Sequence, residues 1–126
     1  MNELVYESAM MLDHLVGIRR KLHMRPELSY GEQKTSEIIC EELDRLQIPW
    51  TSVGDYGVVG TIVGQHSDRM VLLRAYMDAL PIHEENTHLS YCSQVPGTMH
   101  ACGHDGHVAL LLGAAKLLRQ KRSVLR

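Results

Sequence analysis

Apolar residues recur at helical spacing from residue 3 to residue 23, with Leu4, Met11, Leu15, Ile18 and Leu22 falling on one face. Pro26 bars a continuation, because it lacks an amide hydrogen and restricts the residue before it. Ser29 and Glu32 stand at capping-box spacing, so a second helix is expected from there to about residue 46. Thr35, Ile38, Ile39, Leu43 and Leu46 form its buried side. From Ile48 the texture changes. Residues 48–53 and 56–63 read as strands on either side of a Gly54-Asp55 turn, and residues 64–68 as a polar turn. Residues 70–77 begin with a Val-Leu-Leu run that reads as a buried third strand. Asp78-Ala79-Leu80-Pro81 is an abrupt exit from it, and residues 83–98 show no period and form a long loop. Asp105 is placed to cap a last helix over 106–120, with Val108, Leu111, Leu112, Ala115 and Leu118 as its apolar stripe. Two N-terminal helices, about three strands, a loop and a C-terminal helix predict an α/β fold, an incomplete layered catalytic domain. Residues 123–126 read as the start of a further strand.

Composition narrows the class. The chain has 126 residues, 44% of them hydrophobic, which suits one globular domain or a piece of one and excludes a disordered chain. The net charge is −2, from 13 basic and 15 acidic residues with no basic patch, so no nucleic-acid partner is expected. No apolar run approaches the roughly 18 residues of a membrane span. The N-terminus carries acids where a signal peptide carries Lys or Arg, and Cys40, Cys92 and Cys102 do not make a disulfide framework. Together these point to the cytoplasm.

Three of the eight histidines fall between positions 100 and 107, beside a cysteine and an aspartate: His100, Cys102, His104, Asp105 and His107. If residues 100–104 are extended, His100, Cys102 and His104 share one face. A thiolate and an imidazole suit Zn²⁺ and related divalent cations, and a helix starting near Gly106 turns its positive end toward them. Metal binding therefore stands ahead of a coincidence of surface residues. A structural zinc site is the alternative, although it usually needs four protein ligands and no second Cys/His pair has that spacing. His107 is either a ligand or a partner behind the ligands. Asp78, at the end of the third strand, is either a ligand support or a turn aspartate; the neighbouring cluster favours support. His23 with Pro26 and Glu27 reads as a helix-end network. His14, His66, His83 and His88 read as surface residues, and Arg74 as the partner of an acid. Glu84-Glu85 reads as a solvated loop face rather than acid–base machinery.

Four stretches together resemble the aminoacylase, hippurate hydrolase and auxin-conjugate hydrolase group of di-metal amidohydrolases. They are Arg19-Arg20-x-Leu22-His23-x-x-Pro26-Glu27-Leu28-Ser29 with Glu32; Gly57-Val58-Val59-Gly60; Leu73 through Ile82 (LRAYMDALPI); and Tyr91-x-Ser93 followed by Pro96 through His107 (PGTMHACGHDGH). The resemblance implies that Cys102 and His104 are metal ligands and that Asp78, the one catalytic candidate, stands close behind the metals. His100, Asp105, His107 and Tyr76 are left as neighbours or further candidates. The implied chemistry is hydrolysis of the amide of a small N-acyl amino acid, with two divalent cations (Mn, Zn, Co or Ni) polarising the carbonyl and a glutamate moving the proton.

Two features depart from that pattern. Tyr76 stands where the group has Asp, giving Ala-Tyr-Met-Asp and putting a bulky neutral phenol beside the expected metals. The chain also stops soon after the helix that follows Cys102. Residues 1–126 are thus expected to be the N-terminal part of the catalytic domain, without the general-base Glu, the later ligands or the lid and dimerisation domain. An inactive member of the group is the leading expectation. A non-catalytic metal-binding or interaction module and one part of a split enzyme are the alternatives. A third strand left without a neighbour would present an open edge, so self-association is expected through it.

Overall fold

The computed structural model describes residues 2–66 and 68–125. Ser67, within the expected polar turn, and Arg126, at the end of the expected further strand, lie outside the described residues. The elements in chain order are helices α1 (Glu3–Met10), α2 (Leu12–Met24) and α3 (Gln33–Arg45), strands β1 (Trp50–Val53) and β2 (Gly57–Gly60), helix α4 (His104–Gln120), and a 3-10 turn, Arg122–Val124. The class is α/β, as the sequence pattern predicts.

The expected first helix is two. Asn2 caps α1 by accepting the Leu4 amide at 3.1 Å, and the chain turns at Met11 before α2 begins. Met11 is buried whereas α1 contributes no buried residue. The break seats Met11 beside Gly113 of α4, where its sulfur would lie 3.5 Å from an added Cβ. What ties α1 down is charge: Lys121 reaches Glu3 at 3.3 Å and Glu7 at 3.2 Å.

The start of α3 also departs from expectation. No side-chain cap comes from Ser29 or Glu32; Glu27 accepts the Lys34 amide at 3.0 Å and both the Thr35 amide and its hydroxyl, at 2.6 and 2.7 Å. A carboxylate at a helix N-terminus meets free amides and the positive end of the dipole, which is the function the capping box would have served.

The core lies between α2, α3, α4 and the hairpin. Ile18, Leu22, Leu43, Ile48, Val108, Ala109 and Leu112 are buried together, with Leu15, Ile38, Ile39, Trp50 and Val58 packed at the margin. Strands β1 and β2 pair antiparallel with Trp50 opposite Gly60 and Val53 opposite Gly57. Gly54 takes φ 62°, and a Cβ at Gly57 would lie 2.5 Å from the Val53 carbonyl oxygen, so the tight turn needs glycine at both places.

Residues 70–77 do not form the expected buried strand. Among the described residues they make no backbone–backbone hydrogen bond. Met70, Val71, Leu72 and Leu73 are 94%, 84%, 78% and 51% exposed. A continuous apolar run signals a strand covered on both faces. The only sheet among the described residues is the β1–β2 hairpin, which does not extend to this segment. Pairing resumes at its end: Ala79 bridges Leu28 in parallel and Leu80 bridges Met99 antiparallel. These bridges bring Asp78 under the turn that leads into α4. No described helix is long and apolar enough to cross a membrane.

Candidate active site

Helix α4 begins at His104 behind Gly103, whose φ of 82° is left-handed and whose position carries no side-chain cap. Residues 100–103 are therefore a turn, with the Gly103 amide donating to the His100 carbonyl at 3.4 Å, and not the extended segment expected. The period of two that would put His100, Cys102 and His104 on one face does not apply. His100 points inward and is 4% exposed, Cys102 is exposed, and His104 is half-buried in the first helical turn.

His104 meets Asp78. Its Nδ1 lies 2.9 Å from the Asp78 carbonyl oxygen and 3.1 Å from Oδ1, while the Ser29 hydroxyl donates to Oδ2 at 3.3 Å. A hydrogen on Nδ1 donates to both oxygens, which leaves the Nε2 lone pair for a ligand. Tyr76 stacks on the same imidazole, with centroids 5.5 Å apart and planes inclined 27°, and Arg74 lies 4.6 Å over the phenol ring. Arg74 is thus a stacking partner, with no acid paired to it among the described residues. His107 is exposed on the next turn, 5.8 Å from His104 centroid to centroid.

Asp105 is neither a free ligand nor the cap. It is 1% exposed and sits inside the first turn, accepting the Gly106 amide at 2.9 Å, His23 Nδ1 at 2.7 Å and Arg19 Nε at 2.9 Å. The other nitrogen of His23, Nε2, lies 3.1 Å from Oε1 of Glu84. Glu84 is 4% exposed and accepts the Ser93 amide at 2.6 Å, which overturns its assignment to a solvated loop face. Burial pushes its carboxyl up, but the Ser93 amide, His23 and the Asn86 amide outweigh burial and hold it at about 2. His23, expected in a helix-end network, joins α2 to α4 and to the loop instead. Nothing in the sequence flags this pairing, because its members are 61 and 82 residues apart. Tyr91 packs edge-on to His23, with Arg20 4.5 Å from its ring centroid.

Both ring nitrogens of His100 are buried without a hydrogen-bond partner. Burial, more than its neighbours His23 and His104, pushes its pKa below the ordinary value, against the pull of Asp105 and Asp78. Among the described residues no group of three or more His, Cys, Asp or Glu side chains converges on a metal position. Cys102 presents an exposed thiol, and His104 an imidazole whose Nδ1 is held by Asp78.

Three comparisons bear on this arrangement. Residues 72–125 match the model of peptidase family M20/M25/M40. The chain is 45% identical to the N-acyl-L-amino acid amidohydrolase of Geobacillus stearothermophilus, over 89% of this chain and 30% of that protein. It is 46% identical to the IAA-amino acid hydrolase ILR1-like 5 of Arabidopsis thaliana, over 90% of this chain and 26% of that one. Its fold superposes on the crystal structure of Bacillus subtilis YXEP, described as a dinuclear metal binding peptidase from the M20 family. That match has a TM-score of 0.82 and 42% identity, covering 87% of this chain and 31% of YXEP. The chain spans about 30% of the length of the curated relatives it matches.

The Glu84 carboxyl gives a pH prediction. Its folded value of about 2 lies below its ordinary 4.5, so its contribution to stability is complete above about pH 4.5 and lost as pH falls toward 2. Urea midpoints of the wild type and Glu84→Gln, measured across that range, are expected to differ most near neutral pH and to converge in acid.

Proposed function

We propose that residues 1–126, which match the model of peptidase family M20/M25/M40 over residues 72–125, supply the N-terminal part of the catalytic domain of a metal-dependent amidohydrolase acting on N-acyl amino acids. The observation that carries the reading is the His104–Asp78 contact. It holds one imidazole by its inner nitrogen at the N-terminus of α4, close in sequence to the exposed thiol of Cys102. Cys102 and His104 would hold a divalent cation, with Mn, Zn, Co and Ni all compatible with a thiolate–imidazole pair. Such a cation supplies Lewis-acid polarisation of an amide carbonyl. Asp78 then orients His104, and Asp105 fixes the start of α4. The substrate class is supported by the printed names of the relatives, which include an N-acyl-L-amino acid amidohydrolase, IAA-amino acid hydrolases and an N-acetylcysteine deacetylase. Three free cysteines fit a reducing, cytoplasmic setting.

Glu84 is buried and its carboxylate is committed to Ser93, His23 and Asn86, so it is no free base. A second reading, in which this chain is completed by another polypeptide or associates with itself, draws on the bare apolar run Met70 to Leu73. Unpaired backbone groups beside exposed apolar side chains form a template for strand addition.

Three outcomes follow. The 126-residue chain assayed on N-acetyl and N-benzoyl amino acids with added Mn²⁺, Co²⁺ or Zn²⁺ shows no turnover; an ordinary enzymatic rate would refute this. In equilibrium dialysis it binds Zn²⁺, and Cys102→Ser weakens that binding at least tenfold; equal binding removes Cys102 from the ligand set. Light scattering after gel filtration shows multimers that Leu72→Glu reduces, whereas a monodisperse wild-type monomer counts against the second reading.

A further inference from the structure

We infer that His23 is a positioning residue for the Cys102–His104 segment, one buried imidazole that clamps the chain on both sides of it. The role of that segment rests on the reading above; the clamp itself rests on geometry. Downstream, His23 Nδ1 lies 2.7 Å from Asp105, the residue after His104. Upstream, His23 Nε2 lies 3.1 Å from Glu84, whose other oxygen accepts the Ser93 amide at 2.6 Å. Ser93 in turn donates its hydroxyl to the Thr98 carbonyl at 2.7 Å. Met99 then pairs with Leu80, two residues beyond Asp78. The stretch 93–105 is thus pinned at both ends to a single side chain of α2.

His23 is suited to this in a way that a simple core residue is not. Its side chain is 3% exposed, and the two carboxylates it faces are 0% and 2% exposed. Each ring nitrogen meets a carboxylate oxygen, so the ring fixes the distance between Glu84 and Asp105 as well as satisfying them. Without it both acids keep other donors: Arg19 and the Gly106 amide for Asp105, the Ser93 and Asn86 amides for Glu84. What disappears is the link between the two flanks. Buried acceptors that lose a charged partner move toward water where the chain allows it, and here the chain that would move carries Cys102.

The test uses the full 126-residue chain. His23→Phe keeps a ring and removes both contacts, His23→Gln keeps one donor and guards against a phenylalanine variant that does not fold, and Ile18→Val is a control that loosens the same core elsewhere. Amide hydrogen exchange is followed well below each melting temperature. His23→Phe is expected to speed exchange at least tenfold in residues 93–99 and 103–107 and to leave α3 unchanged. His23→Gln is expected to affect one flank more than the other. The readout that a general loss of stability would not move is the thiolate-to-cobalt absorption band of the Co²⁺-loaded protein. It should weaken or shift in both His23 variants and stay in place in Ile18→Val. Unchanged exchange in the two flanks, or a rise spread equally into α3, overturns the clamp. A wild type that binds no Co²⁺ defeats the ligand assignment of Cys102 and His104, and the exchange data then decide the clamp by themselves.

Discussion

The fold depends on one carboxylate taken out of water. Asp105 is buried at the start of α4 and is tolerable there because Arg19, His23 and the Gly106 amide converge on it. An isolated ion moved into a protein interior costs several kcal/mol even after relaxation, so such a group survives only with its donors in place. Arg19 and His23 are one turn apart on α2, which means that satisfying Asp105 also fixes how α2 lies on α4. The apolar contacts of Ile18 and Leu22 with Val108, Ala109 and Leu112 fill the same interface. Burial supplies the driving force between these helices, while the carboxylate supplies their register. A slide of one turn along the interface would keep much of the apolar contact and strand the charge.

Much of this arrangement is legible in the sequence, and the legible parts share a cause. Helices α3 and α4 and the β1–β2 hairpin appear near their expected places because local periodicity and turn chemistry determine them. The association of Asp78 with His104 is legible through the motifs that surround both residues. The failures come where non-local structure decides. Met11 breaks a regular helical pattern because its side chain finds Gly113. Glu27 displaces the expected capping box because the chain after Pro26 carries its carboxylate to the Lys34 and Thr35 amides. Residues 70–77 have the composition of a covered strand, but among the described residues only Ala75 and Met77 pack against the core. Glu84 has the composition of a loop surface and the environment of a core. In each case the deciding partner lies too far along the chain for a periodic pattern to register.

Tyr76 shows how a substitution in a motif is read once geometry is known. From sequence it is a lost carboxylate beside a metal position. In the structure its ring lies on His104 and under Arg74, so the change exchanges a negative charge for a stacked aromatic surface. The stack covers one side of the imidazole, and Asp78 holds its inner nitrogen. The approach left to His104 is through Nε2, with no carboxylate at position 76 beside it.

Asp78 stands at the boundary between the two regimes of this chain. On its N-terminal side residues 70–74 are exposed and make no backbone–backbone hydrogen bonds. On its other side Ala79 and Leu80 are bridged to Leu28 and Met99. Asp78 itself is held by Ser29 and His104, while Ala75 and Met77 before it pack at the margin of the core. Tyr76 lies on that side, so the ring stacked on His104 is carried by backbone that makes no backbone–backbone hydrogen bond among the described residues. Pairing of residues 70–77 with a neighbouring strand would therefore do more than cover apolar side chains. It would stiffen the support of Asp78 and hold Tyr76 in register with His104. The contacts of His23 with Asp105 and Glu84 join α2, α4 and the 83–98 loop, and every group in them is already present and paired.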